Sequence, residues 1–304
     1  MGSVILSPSQ QHSLRVGIDF VMGAEYQSHP IQWQQVYETR NSTKNKEEVL
    51  LKSGMGTAYA VSETQATPLD GGRDEWLKQF IHKEYALGFS ISRIAIEDGQ
   101  YADLGKESGV QLSNSFRETK EIQGVALFNN ATSTAQPYKG GDGVALLSAA
   151  HPLGNGSTFS NLLAGMQLSE TSLDTARILI ERAVDERGLP ISLAPKNLII
   201  PPDLLTVAHR LLQSTLRPGT NDNDANWIKD MGLFGKPPVK MTRIVAPTAW
   251  FIQTDVQKGL IHYKRRAFTF DTEYDNNTRT YQGYASERYS FGHANPRAIY
   301  GYTP

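Results

Sequence analysis

Between Asn129 and Ser160 the chain carries a run that neither a helix nor a strand can hold, and this run divides everything else. Its centre reads Gly141-Asp142-Gly143-Val144-Ala145-Leu146-Leu147-Ser148-Ala149-Ala150-His151-Pro152-Leu153, followed by Gly154-Asn155-Gly156-Ser157 and Ser160-Asn161-Leu162. Glycine relaxes the backbone, and Pro152 pushes His151 toward an extended conformation. The spacing predicts an excursion of the chain from one lobe to a second. Taken alone, the run also reads as a Gly/Asn/Ser-rich surface loop holding one ordinary histidine.

Helical patterns stand on both sides of it. Asp103 to Asn129 reads as a helix ~40 Å long, with Leu112, Phe116, Ile122, Val125 and Ala126 near a three-to-four-residue spacing. Gly105, Gly109 and Gly124 each cost roughly 1 kcal/mol against alanine there, so bent or frayed first turns are expected. After the run, Ser169 is the predicted N-cap of a helix with Leu173, Ala176, Ile180, Ala183 and Val184 as its buried stripe. Gly188 is its expected C-terminal glycine, with Pro190 beyond. Leu198-Ile199-Ile200 predicts a fully buried strand. Pro202 then opens a third helix with Leu204, Val207, Ala208, Leu211 and Leu212 on its core side. Residues 217–226 read as a polar loop, and Val239–Val245 and Trp250-Phe251-Ile252 as strands.

The amino-terminal third reads differently. Residues 1–30 sustain no helical period and predict an arm ordered only against something else. Strand signals follow at Val49–Leu51, Thr57–Val61 and Phe89–Ile96, the last alternating Phe89 and Ile91 against Ser90 and Ser92. Pro68, Leu69, Asp70, Gly71, Gly72 and Arg73 form a turn signal between the second and third. A long hairpin with its tip at 68–73 is therefore expected. An isolated hairpin is marginal in water, so residues 65–78 are expected to lie on an adjacent subunit. At the carboxyl end, aromatics from Phe268 to Tyr302 alternate with polar residues around an Asp275-Asn276-Asn277-Thr278 turn, predicting a closing hairpin.

Composition excludes several function classes. Lys and Arg number 30 against 31 Asp and Glu, too balanced for binding driven by phosphate neutralisation. With no cysteine, disulfides, thiolate metal sites and a cysteine nucleophile are excluded. No run of 18 apolar residues exists, so no membrane span is expected, and Met1–Gln11 lacks the pattern of a signal peptide. Nucleophile elbow, P-loop, H-E-x-x-H and G-x-G-x-x-G signatures are absent. Asp222-Asn223-Asp224-Ala225-Asn226 begins like a calcium loop but places Trp227 at the glycine position and Leu233 at the bidentate position. None of the seven histidines forms an i,i+4 pair, and His151 reads as a buried or loop-anchoring residue. Glu97-Asp98 marks the end of a strand. Lys264-Arg265-Arg266 reads as a solvated face, with phosphate contact as the alternative. Catalytic residues, cofactors and metals are accordingly expected to be none.

The order of these segments resembles the Hong Kong 97-type major capsid protein of tailed bacteriophages, within it the group of the Mu-like head subunit. The resemblance rests on D-G-V-A-L-L-S-A-A-H-P, the following Leu168-Ser169-Glu170-Thr171-Ser172-Leu173 and the L-I-I-P-P-D-L at 198–204, with support from Tyr85–Arg93 and Glu97-Asp98. It implies an α+β fold with an N-arm at 1–35, an extended loop and flanking strands at 36–102, and a spine helix at 103–134. An axial domain would follow at 135–252, and the closing strands of the peripheral domain at 253–304. It further implies self-assembly into pentamers and hexamers of an icosahedral shell around double-stranded DNA, assembled in the host bacterial cytoplasm. A separate scaffold and protease, a portal and a decoration protein are the implied partners, since too few residues precede the arm for a fused scaffold. The intersubunit contact would fall on Pro68, Leu69, Asp70, Gly71, Gly72 and Arg73. An encapsulin-type nanocompartment shell shares this fold and is the first alternative. A carbohydrate-binding or hydrolytic virion protein using the same aromatics is the second.

Overall fold

The computed structural model describes residues 31–97, 101–215 and 225–304. In chain order its strands are β1 (Glu38–Asn41), β2 (Lys46–Lys52), β3 (Asp74–Ile81), β4 (Lys83–Ser92), β5 (His151–Pro152), β6 (Thr158–Phe159), β7 (Pro195–Ile200), β8 (Val239–Lys240), β9 (Trp250–Thr254), β10 (Leu260–Asp275), β11 (Thr280–His293) and β12 (Ile299–Tyr302). The α-helices are α1 (Arg93–Glu97), α2 (Tyr101–Asn129), α3 (Glu170–Glu181), α4 (Leu205–Gln213) and α5 (Trp227–Asp230). The expected arm at 1–30 lies outside the described residues.

The first lobe is the sheet β1-β10-β11-β4 with α2 against one face. The expected closing hairpin forms as β10 and β11, and Asp275 closes its turn by accepting from Asn277 N at 2.9 Å and Thr278 Oγ1 at 2.7 Å. Leu112 and Phe116 of α2 pack on Phe270 and Ala285 of that hairpin. α2 runs unbroken to Asn129, and its buried stripe takes in Val125, Leu127 and Phe128 while Ile122 stays exposed. Gly124 is needed there: a Cβ would stand 2.7 Å from Trp33 Cβ. Close approach to the Trp33 segment, which also brings Tyr37 OH within 2.8 Å of Gly124 O, overrides helix propensity at that position.

The second lobe is the sheet β12-β9-β7-β8 with α3, α4 and α5. Leu198, Ile199 and Ile200 are fully buried as expected, as are Leu173, Ala176 and Ile180 of α3. Ser169 caps α3 and forms a capping box with Ser172. Leu198, Ile200, Trp250, Ile252 and Tyr300 join these helices in one core. A second core under the junction combines Val125 and Phe128 of α2 with Leu146, Leu147, Ile199, Phe251 and Ile299, so the lobes share buried surface.

Four expectations need correction. The strand at 89–96 ends at Ser92, whose hydroxyl accepts Ala95 N at 3.3 Å and starts α1. α3 ends at Glu181 rather than near Gly188. The positive φ of Gly188 instead serves a turn that Asp185 closes by accepting from Arg187 N and Leu189 N, both at 2.8 Å. The strand expected over Val239–Val245 is only Val239–Lys240, because the chain turns once Met241 N has bonded Ile200 O. The hairpin is not built from 57–61 and 89–96. β2 pairs with β3, and residues 53–73 connect them without strand structure. Thr57–Val61 has the residue types of a strand but no ladder partner among the described residues of its own chain.

Candidate assembly surfaces

The hairpin roots firmly and its loop does not. Val49 of β2 and Phe80 of β3 are buried against Ile261, Tyr263 and Ala294. Lys78, on the same face of β3 as Phe80, is buried; its ammonium donates to Pro137 O at 2.9 Å and to Lys139 O. Burial lowers this lysine to about 8. Further out, Trp76 Nε1 reaches Glu186 at 3.4 Å, and Glu186 holds Arg297 in an ion pair at 2.6 Å with both residues buried. The strand half of the expected contact segment at 65–78 therefore meets its own chain. Glu186 and Arg297 were not singled out from sequence, because no local pattern pairs residues 111 apart.

Beyond Ser53, whose N donates to Arg73 O at 2.9 Å, the loop opens to solvent. Every residue from Thr57 to Asp74 is exposed, Leu69 almost completely at 97%. Of the six expected tip residues, Pro68 and Leu69 present apolar surface. Asp70 accepts from Gly56 N at 2.7 Å and pairs with Arg187 of the same chain, while Gly71 O accepts from the same guanidinium. Those bonds hold the Asp70 carboxyl down at about 2, the Arg187 hydrogen bond being the largest cause. Gly72 passes so close to Ser53 O that a Cβ would stand 2.7 Å from it. Arg73 N donates to Ser53 Oγ at 3.1 Å.

The Gly/Asn-rich run folds as a pin between the lobes. Asn161 Nδ2 is shared among Leu146 O at 2.7 Å, Pro296 O at 3.0 Å and Ile299 O at 3.0 Å. That assignment leaves Asn161 Oδ1 to accept from Ser148 N at 2.8 Å and from His151 Nε2 at 3.1 Å. His151 Nδ1 faces Asp142 Oδ2 at 2.6 Å, and neither side chain is exposed. Phe159 stacks on the imidazole at 5.0 Å. Both ring nitrogens are engaged within the fold, and the D-G…H-P…S-N pattern is a polar cross-brace.

Other candidates resolve as structure. His262 and His293 are buried, and burial pushes both imidazoles down to about 3, so they stay neutral. Arg266 pairs with Glu84 across the sheet and Lys264 is exposed. Glu97 ends α1, while Asp98 lies outside the described residues. In the calcium-like tract, residues 222–224 lie outside the described residues. Asn226 spends its carboxamide on Leu211 O, Ser214 O and Ile228 N. Among the described residues no group of three or more His, Asp or Glu is placed to hold a metal ion, and no helix is long and apolar enough to cross a membrane.

The chain matches the family model described as phage capsid protein over residues 79–301. Among solved structures it is similar to the capsid of an empty GTA particle, at 13% identity and TM-score 0.57, covering 99% of this chain and 98% of that one. The procapsid of bacteriophage JBD30 matches at 14% identity and TM-score 0.53, covering 98% of this chain and 76% of that one. The virus-like particle of Pyrococcus furiosus matches at 11% identity and TM-score 0.51, covering 94% and 98%. No curated protein sequence matches. The family match spans α2, the pin and, apart from β1 and the last residue of β12, the two four-stranded sheets, so the chain belongs to the phage capsid protein family, with the Hong Kong 97-type α+β fold and a structural role rather than an enzymatic one.

Proposed function

We propose that this protein is the major head subunit of a tailed phage, assembling into pentamers and hexamers of an icosahedral shell around double-stranded DNA. The family match across 79–301 carries the reading. The exposed loop at 53–73 supports self-association: its apolar residues Met55, Tyr59, Val61 and Leu69 are left uncovered on a chain that buries comparable residues elsewhere. In this reading residues 135–252 form the axial domain around the capsomer axis. Residues 36–134 and 253–304 form the peripheral domain with its loop and spine helix, and 1–35 are an arm. Burial of Trp33 and Val36 in the junction core supports an arm that ends near residue 35. Its assembly partners in this reading are a scaffold, a protease and a portal, with a decoration protein as a further candidate. Packaged DNA meets the shell weakly, in keeping with 30 basic against 31 acidic residues. Assembly takes place in the host bacterial cytoplasm, and the product is the virion shell. The narrower affinity to the Mu-like group rests on the 141–204 motifs.

Likeness to the Pyrococcus furiosus virus-like particle favours a second reading, a protein container without a phage. The experiment is light scattering and negative-stain imaging of the purified protein, with and without scaffold. Capsomers or megadalton shells are expected. Monomers or dimers under every condition would refute both readings, and shells without nucleic acid or portal inside the producing cell would favour the second.

A further inference from the structure

We infer that Thr57–Val61 of one copy adds as a strand to the open edge of β4 in another copy. The inference rests on the self-assembly reading above and names where the loop sits. Two loose ends of the molecule motivate it. The first is β4, the terminal strand of its sheet, paired with β11 on one side only. Proteins normally protect such an edge with charge, proline or a bulge. Here Tyr85 to Ser92 carries no charge and no proline, and its pairing with β11 is regular from Lys83 to Ser92. Alternate backbone N–H and C=O groups of β4 thus point away from the sheet with no strand beside them among the described residues.

The second loose end is Thr57-Ala58-Tyr59-Ala60-Val61. Its residue types suit a strand, yet the described residues of its own chain give it neither ladder nor buried face. Met55, Tyr59 and Val61 are 68%, 70% and 48% exposed. Their even spacing places all three on one side of an extended segment, with Ala58 and Ala60 on the other. A large apolar face opposite a small one is the pattern of a strand that lays one side into a groove. Such a groove borders the β4 edge, where Leu87 of β4 and Ser115, Phe116 and Thr119 of α2 form its walls. Leu87 is 49% exposed there. Strand addition would satisfy the edge through main-chain bonds and cover Leu87 with Tyr59 or Val61, affinity coming from the ladder and register from alternate side chains. Five residues extend to ~17 Å, well within the ~33 Å of the ten-residue β4.

The absence of native cysteine permits a direct test. Full-length chains carrying Tyr59→Cys are mixed with chains carrying Leu87→Cys, assembled and oxidised; Val61→Cys and Phe89→Cys extend the register. The expected result is a disulfide between different chains for these same-face pairs, and at least about tenfold less with Ala58→Cys or Ala60→Cys. In parallel, amide exchange of the unsubstituted protein is compared before and after assembly. The outward amides of β4 are expected to slow at least about tenfold. Intact particles with no cross-link in any register and unchanged β4 exchange overturn this placement while leaving the capsid reading standing. Failure of the unsubstituted protein to assemble overturns the capsid reading itself. Cross-links within one chain overturn the second-copy assignment.

Discussion

The pin at 142–161 and the loop at 53–73 are both irregular, glycine-containing and polar, and the structure treats them in opposite ways. In the pin, Asp142, His151 and Asn161 satisfy one another and five backbone groups away from solvent. In the loop, Asp70 and Arg187 make a comparable set of bonds in the open, where water competes for each of them. Irregular backbone becomes a fixed part of a fold when its polar groups are satisfied inside, where an orphan is costly. In the loop the same chemistry only biases a conformation, which leaves that segment available to a partner.

The largest effect that could break this contrast is expected from Asn161→Leu. It orphans Leu146 O, Pro296 O, Ile299 O, Ser148 N and His151 Nε2 together. At ~1–3 kcal/mol for each buried orphan, and with partial relaxation, a loss above ~3 kcal/mol is expected in denaturant unfolding. A change below ~1 kcal/mol would mean that water replaces the bonds and that the pin is no more internal than the loop. Replacing residues 55–71 by Asn-Gly gives the complementary outcome. The unfolding midpoint should hold and particle formation should be lost, as followed by light scattering. A fall in the midpoint of the unassembled chain would move the loop to the side of the pin.

Acid provides the next test. His262 and His293 have folded values near 3 against about 6.5 unfolded, burial being the main cause, with Lys78 adding to the effect at His293. The unfolded chain therefore binds protons that the fold refuses between those values. Stability is full above about 6.5 and is lost as pH falls toward 3. The thermal midpoint should drop steadily over that window, and His293→Phe should shallow the drop. A midpoint flat from pH 7 to 4 would show that these histidines are hydrated.

Much of this was legible in the sequence where one periodicity decided the outcome. Leu198–Ile200, the Ser169 cap and the Asp275 turn follow from local rules, and each stands where it was expected. His151 was legible as an anchoring residue, since a histidine before proline in a glycine-rich run has few other structural uses. The hairpin differs from its expectation because Thr57–Val61 carries strand chemistry without a strand partner among the described residues, so propensity and pairing give different answers. The Glu186–Arg297 pair and the Asp70–Arg187 contact span 111 and 117 residues, beyond the reach of any local pattern.

The smallest expected effect belongs to Asp70→Asn. The carboxylate is held low, at about 2, by Arg187 and two backbone N–H groups, and the aspartate is exposed. An exposed pair is screened by salt and loses its gain to side-chain ordering, so no resolvable change in thermal midpoint is expected. The carboxylate should nevertheless keep the loop folded toward the 185–189 turn of its own chain. Removing it should leave Met55–Val61 more open, raising the rate at which a protease nicks the unassembled chain there, while assembled particles stay resistant. Unchanged cleavage would mean that the Asp70–Arg187 contact does not govern the loop. A clear fall in the midpoint would mean that the loop is bound into the fold as tightly as the pin, and the contrast between the two regions would fail.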